Sequence, residues 1–305
     1  MNQQKYKLRV VPLLIALIAL VVGIQLLLPM QHSTAVMMDK FITVYGQKIH
    51  YVESGSGATV ILLHNMGGDV SDWDKTIPAL SKKYHVIAFD QIGAGQSDHP
   101  LINYRPATWV NFLEGIYREL KIERASLVGH SLNGSVAALF ALKQPEKVDR
   151  LVLVDAGYGY AIPQVSDSRL LGHAPGTLPL LNPSTLEQMR QAARLAFYDQ
   201  KTYANDTAID KMFASSIRGG YTQQRFIESI MRREDVLDNQ LGQIRQPTLI
   251  VWGREDGWTP LALGNRFQQE IPGSKLLVLD RCGHFATIEK PDQFNAAVMT
   301  FLDGQ

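Results

Sequence analysis

Three residues of this chain are of the types that together make a serine reactive: Ser131, Asp256 and His284. A serine hydroxyl is a weak nucleophile at neutral pH, so it needs a base within hydrogen-bond reach, and the base needs an acid that fixes its tautomer. Ser131 lies in Gly129-His130-Ser131-Leu132-Asn133-Gly134, between the apolar runs Ala125–Val128 and Ser135–Leu142. Asp256 follows a run ending Val251-Trp252-Gly253, and His284 sits in Arg281-Cys282-Gly283-His284-Phe285, after a run ending Val278-Leu279. Nucleophile, acid and base thus come in the order Ser, Asp, His, each just past an apolar run. The chemistry implied is acyl transfer through serine. Asp155 and Asp280 are rival acids at other strand ends, and Cys282 lacks a base of its own.

The spacing around Ser131 departs from the G-x-S-x-G pattern in one place, where Asn133 replaces the second glycine. Asparagine tolerates a positive φ better than most residues, so a sharp turn can survive the change. Its bulk must find room, while Gly134 and Ser135 stay small.

These residues need a scaffold that ends several strands at one edge. From Phe41 onward short apolar runs alternate with amphipathic ones, the rhythm of an α/β sheet. Eight strands are expected: a hairpin of Phe41–Tyr45 and Lys48–Glu53, then Thr59–Leu63, His85–Asp90, Ala125–Val128, Arg150–Asp155, Pro247–Trp252 and Lys275–Leu279. Helical spacing covers Trp73–Lys83, Pro106–Leu120, Leu132–Lys143, Pro260–Glu270 and Pro291–Leu302. Between residues 158 and 238 no strand is legible. The runs Thr185–Tyr198, Asp206–Arg218 and Gln223–Leu237 read as a helical cap inserted after the sixth strand, placed to cover a ligand crevice. The core is then 41–157 with 239–305, and the cap 158–238.

Thirty Lys and Arg against twenty-nine Asp and Glu give a net charge of +1, so no field draws the chain to nucleic acid. One cysteine excludes an internal disulfide, and no histidine pair has zinc-ligand spacing. Gly93-Ala94-Gly95-Gln96-Ser97 lacks the third glycine and the helix of a dinucleotide fingerprint. Val10–Leu28 carries no charge and would span about 28 Å as a helix, the thickness of a bilayer core. With Lys5, Lys7 and Arg9 before it, residues 1–9 are expected in the cytoplasm, 10–28 as a transmembrane anchor, 29–40 as a linker, and the remainder on the periplasmic or extracellular side. A signal peptide cleaved near Ser33-Thr34-Ala35, giving a secreted protein, is the alternative.

The chain resembles the α/β-hydrolase family from Phe41 to Leu302. The resemblance rests on GHSLNG; on His64-Asn65-Met66-Gly67-Gly68, similar to an HG-x-G oxyanion loop but with Asn65 for a glycine; on Asp90 to Ser97, similar to D-x-x-G-x-G-x-S; and on the blocks around Asp256 and His284. It implies a mostly parallel eight-stranded sheet, a Ser131–His284–Asp256 triad, and an oxyanion hole made by the backbone N–H groups of Met66 and Leu132. It implies no cofactor and no metal. The block from Val251 to Phe294 is most similar to meta-cleavage product hydrolases, which split carbon–carbon bonds in vinylogous diketo acids. Those enzymes have Asn before the serine and Trp after the histidine, where this chain has His130 and Phe285. By the same likeness His130 and Phe285 are expected to shape the substrate pocket, and Arg232 or Arg233 to bind an acid group.

The membrane segment favours an esterase- or lipase-like enzyme acting on a small-molecule ester or lipid, and this is the first expectation. A carbon–carbon bond hydrolase is the second. A non-catalytic binding protein, suggested by the two asparagines, is the third. The sequence fixes no oligomeric state.

Overall fold

In a computed structural model of the chain, residues 38–157, 178–237 and 239–304 are described. Eight strands form one sheet: β1 (Met38–Val44), β2 (Gln47–Ser54), β3 (Thr59–Leu63), β4 (His85–Phe89), β5 (Ala125–His130), β6 (Val148–Val154), β7 (Thr248–Gly253) and β8 (Lys275–Leu279). Their order is β1-β2-β4-β3-β5-β6-β7-β8. Only the pairs β1–β2 and β2–β4 are antiparallel. The opening hairpin turns on Tyr45 and Gly46, φ 51° and 79°, the two positive angles of a turn that matches strand twist. The inner strands are buried along their length, as strands covered on both faces must be, which is why they read as unbroken apolar runs.

The principal helices are α1 (Pro106–Glu119), α2 (Leu132–Lys143), α3 (Leu186–Ala196), α4 (Asp206–Met231), α5 (Leu261–Glu270) and α6 (Pro291–Leu302). α1 packs its apolar stripe, including Trp109, Leu113 and Ile116, against the sheet. The second face is closed by Trp73, Phe294, Val298 and Phe301. The chain leaves β3 towards β4 on one side, and β5 then joins β3 on the other. This switch point puts the loops after β3 and β5 side by side at the carboxyl edge, where ligand crevices open in such sheets.

Three expectations change. The run Trp73–Lys83 is not one helix: Pro78, which has no N–H, sits in the first turn of a short helix Ile77–Leu80, and Val70–Trp73 forms a separate turn capped by Asp69. The two expected cap helices 206–218 and 223–237 merge into the single 26-residue α4, which ends at Met231, short of the expected Leu237. Its buried stripe of Ile209, Ser216, Gly219, Gln223 and Phe226 continues through Gly219-Gly220, so packing outweighs the helix-weakening glycines. The expected transmembrane helix over Val10–Leu28 lies outside the described residues. The fold differs from the expectation in this respect: among the described residues no helix is long and apolar enough to cross a membrane, and a spanning helix is no part of the fold they form.

Candidate active site

Ser131 stands alone between β5 and α2 with φ 55° and ψ −123°, a strained backbone that lifts its side chain out of the sheet. Its N–H donates to Val154 O at 2.8 Å, pinning the turn to the next strand. The glycines around it are required by packing. A Cβ on Gly129 would stand 2.2 Å from Asn133 O, and one on Gly134 2.7 Å from Ala156 Cβ. The close approach therefore falls on Gly134, and position 133 has room for a side chain. The positive φ expected of the asparagines falls instead on Ser131 and Gly67, at 55° and 78°.

Asp256 lies in the turn after β7. Its Oδ1 accepts from the N–H groups of Trp258 (2.7 Å) and Thr259 (2.9 Å), and its Oδ2 accepts from Thr259 Oγ1 (2.5 Å). Oδ2 also lies 2.7 Å from His284 Nδ1. A carboxylate bonded in this way cannot swing, and it fixes the proton of His284 on Nδ1, leaving Nε2 as the basic nitrogen. Asp155, the rival acid, is fully buried at the end of β6 with φ 43°. Its Oδ1 accepts from Gly253 N at 2.7 Å. Burial foremost, and then the charge of Asp256, hold its carboxyl well above the usual range, so it is poorly suited to stabilise an imidazolium.

Ser131 and His284 line one cavity of about 530 Å³, large enough for a small organic molecule. Met66 and Leu132 line it as well, and among the described residues neither amide is donated elsewhere. Leu132 opens α2, where no carbonyl one turn earlier is available to its N–H. The two amides and the helix N-terminus can together stabilise an oxyanion formed beside Ser131.

The cap frames this chemistry directly. The last carbonyls of α3 accept from the two loops that carry Asp256 and His284: Gly257 N to Leu195 O at 3.0 Å, and His284 N to Ala196 O at 2.6 Å. Glu289 adds a second tie. Its Oε1 accepts from Gly283 N (2.8 Å) and its Oε2 from Asp199 N (3.0 Å). Phe285 lines the cavity and stacks on Phe197 of the cap, centroids 4.9 Å apart. No space remains at Gly283, where a Cβ would meet Ala196 O at 2.2 Å. Gly283→Ala is therefore expected to cost about 1–3 kcal/mol of stability and to lower kcat, read by thermal melting and steady-state rates.

Several residues singled out from the sequence stand elsewhere. His130 does not line the cavity: it is fully buried, its Nε2–H donates to His284 O at 2.6 Å, and burial foremost pushes its pKa well below the usual histidine value. It braces the His284 loop from behind, because the alternating side-chain directions of β5 turn it into the core. Arg232 and Arg233 lie at the end of α4, away from the cavity. Arg232 pairs with Glu228 and Glu234, and Arg233 is exposed with φ 57°. The cations that do line the cavity are Lys211 and Arg218, on the same α4 face as Ser215. Their spacing of 4 and 3 residues is the helical period, the signal by which the sequence could have disclosed them. Asp90 is structural: it accepts from Val70 N and Gln96 N and pairs with buried His50. Burial foremost raises the pKa of the Cys282 thiol far above its usual value, which suits a packing role. Among the described residues no cluster of three or more His, Cys, Asp or Glu is placed to hold a metal.

Comparison with known proteins agrees on the frame. Residues 58–291 match the family model described as the alpha/beta hydrolase fold. The chain is 30% identical to the 2-hydroxy-6-oxononadienedioate/2-hydroxy-6-oxononatrienedioate hydrolase of Cupriavidus pinatubonensis, covering 89% of this chain and 98% of that one. It is 30% identical to the 2-hydroxy-6-oxo-2,4-heptadienoate hydrolase of Pseudomonas putida, over 87% and 96% of the two chains. The crystal structure of a meta-cleavage product hydrolase from Pseudomonas fluorescens superposes with a TM-score of 0.74 at 33% identity, covering 87% and 97%. A membrane phospholipase A superposes at 0.78 with 23% identity, a likeness of fold alone. These relatives overturn the first expectation, a membrane-anchored ester hydrolase, because the sequence likeness that covers both core and cap is to meta-cleavage product hydrolases and to hydrolases named for 2-hydroxy-6-oxo-dienoic acids. The family match spans the strand-end loops that hold Ser131, Asp256 and His284, and the chain belongs to the α/β-hydrolase fold family as a serine hydrolase.

Proposed function

We propose that this enzyme hydrolyses a carbon–carbon bond in a 2-hydroxy-6-oxo-dienoic acid or a close relative. The observation that carries the reading is the near-full-length likeness, cap included, to enzymes named for such substrates. The cavity supports it. Apolar residues such as Leu180, Met189, Phe197 and Met212 can hold the ketone side, while Lys211 and Arg218 supply positive charge for a carboxylate. Asp69 and Asp72 also line the cavity. Burial foremost, then the charge of Asp69, raises the Asp72 carboxyl well above its usual range and so lessens the negative charge an acid would meet.

In this reading Ser131 attacks the C6 ketone carbon while His284 Nε2 takes its proton, and Asp256 holds the imidazolium. The oxyanion forms against Met66 N–H and Leu132 N–H. Collapse breaks C5–C6, and the electron pair is accepted because C5, in the diketo tautomer, is conjugated with the C2 carbonyl. The proton from His284 completes the leaving fragment. Water, activated by His284, then releases the acid from the acyl-serine. Carbon is a worse leaving group than an alkoxide, so the electron sink in the substrate is essential and simple ketones are not expected to react.

The test is steady-state kinetics with 2-hydroxy-6-oxo-2,4-heptadienoate beside p-nitrophenyl acetate. A larger kcat/KM for the dienoate supports the reading, and the reverse order contradicts it. On the same substrate, Arg218→Ala is expected to raise KM about tenfold or more, the worth of a charge-assisted hydrogen bond, with kcat little changed. Arg232→Ala, away from the cavity, is expected to leave both constants within about twofold.

A further inference from the structure

The two cavity-lining residues whose amides are candidates for the oxyanion hole, Met66 and Leu132, belong to different segments. Leu132 N–H opens α2, and Met66 N–H lies in the loop after β3. Strand pairing does not reach either one, since the β3–β5 register ends at Leu63 opposite Gly129. Beyond that pair, the side-chain amide of Asn133 donates to His64 O. Among the described residues this is the one side-chain hydrogen bond between the loop 64–68 and the turn 129–135. The Oδ1 of Asn133 is approached by Gln91 Nε2 at 3.5 Å, and Asn133 is 2% exposed.

His64 is bound on its other sides as well. Its Nε2 accepts from Gln91 N at 3.0 Å, which leaves Nδ1–H to donate to Asn65 O at 2.6 Å. Asn65, the second asparagine in a glycine position, donates from Nδ2 to Asp72 Oδ2 at 2.6 Å. From the cap, Ser215 Oγ donates to Gly67 O at 2.9 Å. The loop that carries Met66 is therefore held by Ser215 of the cap, by Asp72 within the loop's own extension, by Gln91 N at His64 Nε2, and by Asn133 on the helix of the nucleophile.

We propose that Asn133 is a positioning residue of the oxyanion hole: its bond to His64 O fixes the loop bearing Met66 N–H relative to the helix start bearing Leu132 N–H. A glycine at this position would leave a buried carbonyl without that partner and free the turn from the loop. The departure from G-x-S-x-G is then a connection between two donors that must converge on one oxygen within a few tenths of an ångström.

The inference rests on Ser131 being the nucleophile and not on which bond is cleaved. It is tested on the purified full chain by the second-order rate of labelling with a fluorophosphonate, whose phosphoryl oxygen must enter the same pair of amides. Wild type, Ser131→Ala, Asn133→Gly and Asn133→Asp are compared. Asn133→Asp keeps the shape but turns an oxygen towards His64 O, and an acidic residue in the first turn of a helix is well tolerated. Labelling is expected to fall about tenfold in Asn133→Gly and further in Asn133→Asp, part of the loss seen when an oxyanion donor is removed outright. Binding of the planar product 2-hydroxypenta-2,4-dienoate, followed by its absorbance, is expected to change less than about twofold, since a planar ligand makes no use of the tetrahedral geometry. Labelling within twofold of wild type in both folded variants would overturn the proposal, as would an equal loss of labelling and of product binding. If Asn133→Asp does not fold, Asn133→Gly decides alone. Ser131→Ala labelled as fast as wild type would instead remove the nucleophile on which the inference stands.

Discussion

Ser131→Ala is expected to lower kcat by about 10⁶-fold on every substrate the enzyme turns over, with the fold intact. The magnitude follows from what the residue does: without the hydroxyl there is no acyl-enzyme, and the amides of Met66 and Leu132 can only stabilise direct attack by water. Stability should change little. Ser131 makes no side-chain hydrogen bond among the described residues, and the turn is held by its backbone bond to Val154 O. Alanine inherits the φ 55° that serine already bears, so the backbone strain is common to both and the melting temperature is expected to stay close to that of wild type. Residual turnover within about tenfold of wild type would mean that another nucleophile is at work.

The second large effect separates the two buried aspartates. Asp256→Asn is expected to lower kcat by about 10⁴-fold, because an amide can present its N–H to His284 Nδ1 and impose the wrong tautomer. Asp155→Asn is expected to leave kcat within about threefold. Its Oδ1 can go on accepting from Gly253 N, asparagine tolerates φ 43°, and the substitution removes a carboxyl whose charged form burial already disfavours. The reverse ranking of the two variants in steady-state assays would move the acid to β6 and contradict the arrangement described for His284.

Much of this was legible beforehand, for physical reasons. The inner strands, buried on both faces, are unbroken apolar runs, and the outer ones are bounded by turn residues, so all eight could be placed to within a few residues. Groups just past strand ends converge at one edge of a parallel sheet, so Ser131, Asp256 and His284 could be grouped without coordinates. What failed depended on neighbours distant in sequence. α4 passes through two glycines because its buried stripe continues, which no local propensity records. Arg232 and Arg233 look available on the helix, yet carboxylates of the same turn and the end of α4 occupy or divert them, while Lys211 and Arg218 reach the cavity. His130 is adjacent to Ser131 in sequence but opposite in side-chain direction. The bond from Asn133 to His64 joins residues 69 positions apart, so the question raised by its missing glycine could be asked of the sequence but not answered from it.

The central claim, that Ser131 opens a carbon–carbon bond, is tested most directly by following 2-hydroxy-6-oxo-2,4-heptadienoate in ¹⁸O-water and identifying both products. The account predicts acetate carrying one oxygen from water together with 2-hydroxypenta-2,4-dienoate, formed by wild type and not by Ser131→Ala. Intact dienoate after prolonged incubation with wild type that still hydrolyses simple esters through Ser131 would contradict it.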